Sequence, residues 1–149
     1  MSSVMHPIAE EVIRQGETEY KAVINLLEAW KYMRVYSENN SIPLTAYSLC
    51  QANRLAMGNS NDYPHGTLRK VPVTFRNGGS SLHYKLVPRA FENLMGAVKE
   101  KALTPHEFYK ELMYIHPWID GNGRIGFLAY NLLNGTFFDL KPAPHYRKV

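Results

Sequence analysis

His116, Asp120 and Arg124 recur at four-residue intervals in "IHPWIDGNGRIGF", and Gly121, Asn122 and Gly123 fill the gap between the last two. An imidazole, with an ordinary pKa near 6.5, can take a proton from a hydroxyl at neutral pH. A lone carboxylate beside a phosphate site suits Mg²⁺, which is held by one or two carboxylates together with substrate phosphates. The two glycines let the backbone form an anion-binding nest, and an apolar helical pattern starts directly after them. The first N–H groups of that helix have no intrahelical partner, and its dipole adds positive charge there. Arg124, a cation in the first turn, has the wrong sign for that dipole and calls for an anion. Base, metal ligand and phosphate cradle in one short loop are what hydroxyl attack on phosphorus requires, since phosphoryl chemistry is mostly positioning and charge neutralisation. Each residue also has a plainer reading: His116 as a structural hydrogen-bonder, Asp120 as an N-cap. Trp118 reads as an anchor to the core, with contact to a ligand base as the alternative. His6, His65, His83, His106 and His145 show no metal-ligand spacing.

The elements that must hold this loop are mostly helical. In "EYKAVINLLEAWKYMRVYS" the residues Val23, Leu26, Leu27, Trp30 and Met33 fall on one helical face, and "ENNSIP" ends the helix. Thr45 reads as the cap of a helix carrying Leu49, Ala52, Leu55 and Ala56. Gly58 to Gly66 is a loop of turn formers. "RKVPVTF" and "SLHYKLV" then flank Asn77-Gly78, which predicts a β-hairpin with Pro72 marking a sheet edge. A lone hairpin is marginal in water, so it must lie on the helices or await a partner strand. Helical pattern resumes at Pro88 with Phe91, Leu94, Met95 and Val98. Thr104, Pro105 and Glu107 then satisfy a capping box ahead of Phe108, Leu112 and Ile115. His116-Pro117 ends that helix. The last one runs from the Gly-Asn-Gly loop to Gly135.

With 149 residues, 45% of them hydrophobic and 20% charged, the chain suits one folded domain. No run nears the roughly 18 apolar residues a membrane span needs, and no secretory signal is visible, which fits a cytoplasmic protein or one delivered into another cell. One cysteine, Cys50, excludes an internal disulfide and a cysteine metal site. The net charge of +4 is scattered over "TLRK" and "HYRKV", without a basic stripe interleaved with aromatics, so nucleic-acid binding is disfavoured.

At "HPWIDGNGRIGF" the sequence resembles the Fic/Doc (Fido) family, whose pattern is His-Pro-Phe-x-Asp/Glu-Gly-Asn-Gly-Arg-x-x-Arg. It matches at His116, Pro117, Asp120, Gly121, Asn122, Gly123 and Arg124, with Trp118 for the phenylalanine. The resemblance covers roughly Glu17 to Pro144 of a single domain spanning 1–149. It implies a mainly α, Fic-type helical bundle with one β-hairpin flap. It implies a transferase, most often one that moves AMP from ATP to a Ser, Thr or Tyr hydroxyl of a target protein with Mg²⁺. By carry-over His116 is the general base, Asp120 the metal ligand, Gly121, Asn122 and Gly123 the anion hole, and Arg124 a phosphate contact. The flap, with Val71, Val73, Phe75 and His83, docks the target as an added strand.

One departure bears on the activity. Phe127 replaces the second arginine, which in the family grips the distal phosphates of ATP. That leaves open a looser or inverted binding of ATP, another phosphate donor, a Doc-like protein kinase toxin, or a catalytically weakened nucleotide-binding module. Doc-like chains usually have lysine where this one has Gly123. The inhibitory pattern Ser/Thr-x-x-x-Glu-Gly/Asn is only half present, since Glu38-Asn39 is preceded by Arg34 where Ser or Thr belongs; inhibition by a separate small protein is the alternative.

Overall fold

A computed structural model of the chain describes residues 2–58, 64–75 and 81–144, with side chains from Val4 onward. Six α helices are found among these residues: α1 Ser2–Arg14, α2 Tyr20–Glu38, α3 Ala46–Met57, α4 Val87–Lys99, α5 Pro105–Ile115 and α6 Asn122–Leu133. The apolar stripe of α2 faces inward as its spacing predicts, with Val23, Leu26, Leu27, Trp30 and Met33 all buried. Two helix starts follow from their caps. Thr45 Oγ1 accepts the Ser48 N–H at 3.1 Å. At α5, Thr104 Oγ1 accepts the Glu107 N–H, and Glu107 Oε1 accepts the Thr104 N–H at 2.8 Å, a complete capping box.

Helix α6 is the centre of the fold. It packs on α1, α2, α3 and α5, and Ile125 through Asn131 are all buried. Asn131 fixes the chain that follows. Its Nδ2 donates to the Phe127 and Lys141 carbonyls, and its Oδ1 accepts from Thr136 Oγ1 and the Lys141 N–H. Phe137 then stacks on Trp30 with ring centroids 5.1 Å apart, while Trp30 Nε1 donates to the Phe137 carbonyl. With its C-terminal end held this way, α6 presents its N-terminus at a fixed place. Helix α1, ahead of the Glu17 limit of the resemblance, also belongs to the core through Val4, Ile8 and Val12.

The hairpin is the element that differs. The Asn77-Gly78 turn lies outside the described residues. Of the flanking runs, Thr74 alone makes a β bridge among the described residues. The second run is no strand: Tyr84–Leu86 form a 3-10 turn and Val87 opens α4. His83 Nδ1 accepts the Lys85 N–H, Leu86 N–H donates to the His83 carbonyl, and Pro88 lies in the first turn of α4, where its missing N–H costs nothing. The apolar alternation of Leu82, Tyr84 and Leu86 imitates a strand, but these local bonds and the burial of Val87 select a helical turn. The ends of this segment are also bonded elsewhere. Arg69 N–H donates to the Pro117 carbonyl at 2.8 Å and Leu82 N–H to the Tyr114 carbonyl at 3.1 Å.

Candidate active site

Helix α5 stops at His116, which adopts a left-handed conformation (φ 53°, ψ 65°) just ahead of Pro117. This turns the chain away from the helix axis and into the loop that leads to α6. Trp118 anchors the loop: it is buried, its Nε1 donates to Cys50 Sγ, and it meets Phe91 edge-on. Asn122 closes the loop. Its side chain is buried, accepts the Trp118 N–H at 3.1 Å and donates to the Trp118 carbonyl at 2.8 Å. The amide of Asn122 is therefore structural, and only its backbone remains for a ligand. From the other side, Asn53 of α3 donates to the Asp120 carbonyl and accepts the Gly66 N–H, both at 2.9 Å.

Gly121 is the N-cap of α6 and has φ +84°; its N–H is held by Asp120 Oδ1 at 2.8 Å. A Cβ there would lie 2.6 Å from Asn53 Nδ2 and 2.7 Å from Met57 Sδ, so the position requires glycine on both counts. The N–H groups of Asn122, Gly123 and Arg124 follow in the first turn, where the helix supplies no acceptor. No side chain among the described residues caps them. They border a cavity of 150 Å³ lined by His116, Ile119, Asp120, Gly121–Arg124 and Gln15. A drug-sized ligand takes about 300–1,000 Å³, so this space suits the phosphate end of a nucleotide and not the whole of one. Arg124 is half-buried, touches Met57 Sδ, and makes no ion pair among the described residues. Gln15, just past α1, reaches over Gly123, where an added Cβ would lie 2.6 Å from its amide. Gln15 is in turn held by the buried Glu11, which also bonds Arg14.

The His116 imidazole lines the same cavity, with its Nδ1 buried and lacking a partner at hydrogen-bonding geometry among the described residues. Burial, followed by the nearby Arg69 guanidinium, pushes its pKa down to about 4. The Met113 carbonyl and the Asp120 carboxylate pull weakly the other way. The ring is neutral at pH 7, which is the form able to accept a proton. Asp120 is exposed on the rim, with one carboxylate oxygen used by Gly121. No group of three or more metal-ligating side chains exists among the described residues. A cation at Asp120 would therefore draw its other ligands from phosphate and water, which fits Mg²⁺.

The remaining expected site residues fall as follows. Phe75 meets His116 edge-on at 5.5 Å. Val71 is exposed and Val73 half-buried on the same segment. His83 is exposed and stacks on Tyr84, so it caps a helical turn and is not part of a docking strand. Phe127 is fully buried in the core, one turn from Arg124. Glu38 pairs with Arg34 on the surface of α2.

Sequence reasoning passed over Arg69, Asn53 and Gln15. Arg69 reads as surface charge in "TLRK" yet is only 3% exposed, and its side chain bonds five acceptors around the loop. Those acceptors are main-chain carbonyls and one serine hydroxyl, which leave no pattern in the sequence.

The fold is shared with solved structures. A Fic domain-containing signalling protein from Bacteroides thetaiotaomicron superposes with a TM-score of 0.66 at 22% identity, over 82% of this chain and 53% of that one. A Fic family protein from Desulfovibrio desulfuricans gives 0.65 at 21% identity, over 89% of this chain and 46% of that one. A curated relative, the protein adenylyltransferase Fic of Nematostella vectensis, is 28% identical over 126 residues. The match covers 77% of this chain, which spans only 28% of that relative's length. The profile of the Fic/DOC family matches residues 43–133, from the end of the α2–α3 loop to the last residue of α6. With that match taking in most of the chain and the whole of the His116–Arg124 loop, the protein belongs to the Fic/DOC family.

Proposed function

We propose that this chain transfers AMP from ATP to a hydroxyl side chain of a target protein, with Mg²⁺ bound at Asp120. The observation that carries this reading is a neutral imidazole, His116, on the wall of the same small cavity as the uncapped N–H groups of α6. The α-phosphate rests on the backbone N–H groups of Asn122 and Gly123, with the dipole of α6 and the Arg124 charge behind it. Bound there, Mg²⁺ supplies charge neutralisation for the phosphates. His116 takes the proton of the target hydroxyl as its oxygen bonds to the α-phosphorus. The bond to the bridging oxygen breaks and pyrophosphate leaves. The exposed Val71 and the half-buried Val73 and Phe75 offer the target its docking edge beside His116. The name of the Nematostella relative, an adenylyltransferase, supports the same donor.

Protein labelling by α-labelled ATP and Mg²⁺ tests this. His116→Ala is expected to lower labelling by about 10²–10⁴-fold. Equal labelling by parent and variant would remove His116 as the base.

The burial of Phe127 favours a second reading. Without a guanidinium there, the distal phosphates lose that grip, and a different phosphate donor or simple nucleotide binding becomes competitive. Label from γ-labelled ATP on the target would mark a Doc-like kinase. Calorimetric binding of Mg²⁺-nucleotide without turnover would mark a binding module.

A further inference from the structure

We propose that Arg69 is a positioning residue for His116, fastening the end of α5 to both ends of the 69–82 segment so that the aim of the imidazole depends on this clamp. The inference rests on His116 being the general base. The guanidinium reaches across the fold in three directions. Its Nε–H donates to the His116 carbonyl at 2.6 Å and one terminal nitrogen donates to the Ile115 carbonyl at 3.1 Å, which holds the last carbonyls of α5. The other terminal nitrogen donates to the Val71 carbonyl at 2.8 Å. The nitrogen that holds the Ile115 carbonyl also reaches Ser81 Oγ and the Leu82 carbonyl on the far end of the segment, so its two hydrogens are shared among three acceptors. The main-chain N–H of Arg69 adds a bond to the Pro117 carbonyl, so residues 115, 116 and 117 are all gripped from one residue.

Three features separate this from ordinary packing. First, Arg69 is 3% exposed and faces no carboxylate among the described residues, only neutral acceptors. A buried charge held without an ion pair is expensive to keep, and an apolar residue would fill the space more cheaply. The partial negative charge at the C-terminus of α5 is what offsets it. Second, His116 has a left-handed backbone, which is uncommon for a non-glycine residue. The Arg69 Nε–H bond, at 2.6 Å, falls on the carbonyl of that same residue. Third, the segment that Arg69 anchors also carries Phe75, whose ring meets the His116 ring at 5.5 Å. Backbone and ring of His116 are thus both set from 69–75. Lysine cannot replace this function, because it has three donors on a point charge where arginine has five in a rigid fork.

The test uses the full chain labelled with ¹⁵N-histidine, with the His116 signals identified by their loss in His116→Ala. In Arg69→Lys and Arg69→Met, the His116 ring and amide signals are expected to move while those of His6 and His106 stay. The transfer rate is expected to fall about 100-fold with the KM for target unchanged, as for a misplaced catalytic group. Unmoved His116 signals in either folded variant would overturn the proposal. So would loss of fold in both variants, which would assign Arg69 to the fold alone. The signals are read without nucleotide or target, so they decide the role of Arg69 even if the transferred group is not AMP.

Discussion

A methyl group added at Gly121 and one added at Gly123 are expected to act in different ways. At Gly121 the φ of +84° opposes any side chain, and the Cβ meets Asn53 Nδ2 and Met57 Sδ, both packed under the loop. Gly121→Ala therefore costs about 1–3 kcal/mol of stability, visible as a lower Tm. At Gly123 the backbone is helical and the Cβ meets only the far end of the Gln15 side chain, which can swing away. Gly123→Ala leaves Tm nearly unchanged and weakens nucleotide binding and labelling, because the methyl group enters the cradle. Melting curves and labelling of the two variants check this together; equal Tm losses would contradict it. The contrast also marks what was legible at this scale. His116, Asp120 and the glycines stand in a spacing that side-chain chemistry alone explains. Asn53, Gln15 and Arg69 do not, since Asn53 and Arg69 act on main-chain carbonyls 46 to 67 residues away and Gln15 acts by where α1 ends.

Helix α1 shows how an element far from the motif reaches the site. Ile8 is fully buried, and Gln15, just past the same helix and held by its Glu11, lines the cavity at α6. Ile8→Ala is expected to destabilise the fold by about 2–5 kcal/mol, read by chemical denaturation. A cost below about 1 kcal/mol would show that α1 is not docked. Helices α2 to α6 were readable because their apolar residues repeat at three and four, and because Thr45, Thr104 and Glu107 announce where two of them begin. α1 was not read as an element, since His6-Pro7 interrupts its pattern. The strand reading of Ser81–Val87 failed for another reason: period-two alternation over seven residues cannot tell a strand from a 3-10 turn running into a helix. Bonds of Arg69 and Leu82 to the α5 end decide the matter, and they are tertiary.

At the scale of the molecule, charge placement sets the response to pH. The folded pKa of His116 is about 4, below its ordinary value, so between about 4 and 6.5 the unfolded chain binds more protons there. This contribution to stability is whole above about pH 6.5 and is lost as pH falls towards 4. Glu11 runs the opposite way. Burial raises its pKa despite Gln15 and Arg14, so its share is whole below the ordinary carboxylate value and is lost as pH rises through the folded one. Comparing Tm from pH 7 to pH 4, His116→Ala is expected to lose less than the parent. For the same reason the acid limb of kcat/KM for the free enzyme lies below pH 6.5; a limb at 6.5 would show His116 to be in contact with water and unperturbed. The chain belongs to the Fic/DOC family, and its fold surrounds a phosphate-sized space at the N-terminus of α6. The central claim is that this space is a phosphate cradle facing a histidine base. A crystal structure with Mg²⁺ and a non-hydrolysable ATP analogue tests it most directly. The α-phosphate is expected on the Asn122 and Gly123 N–H groups, the cation at Asp120 and the His116 ring open to the phosphorus. Phosphates bound elsewhere, with Gln15 still closing the space over Gly123, would contradict it.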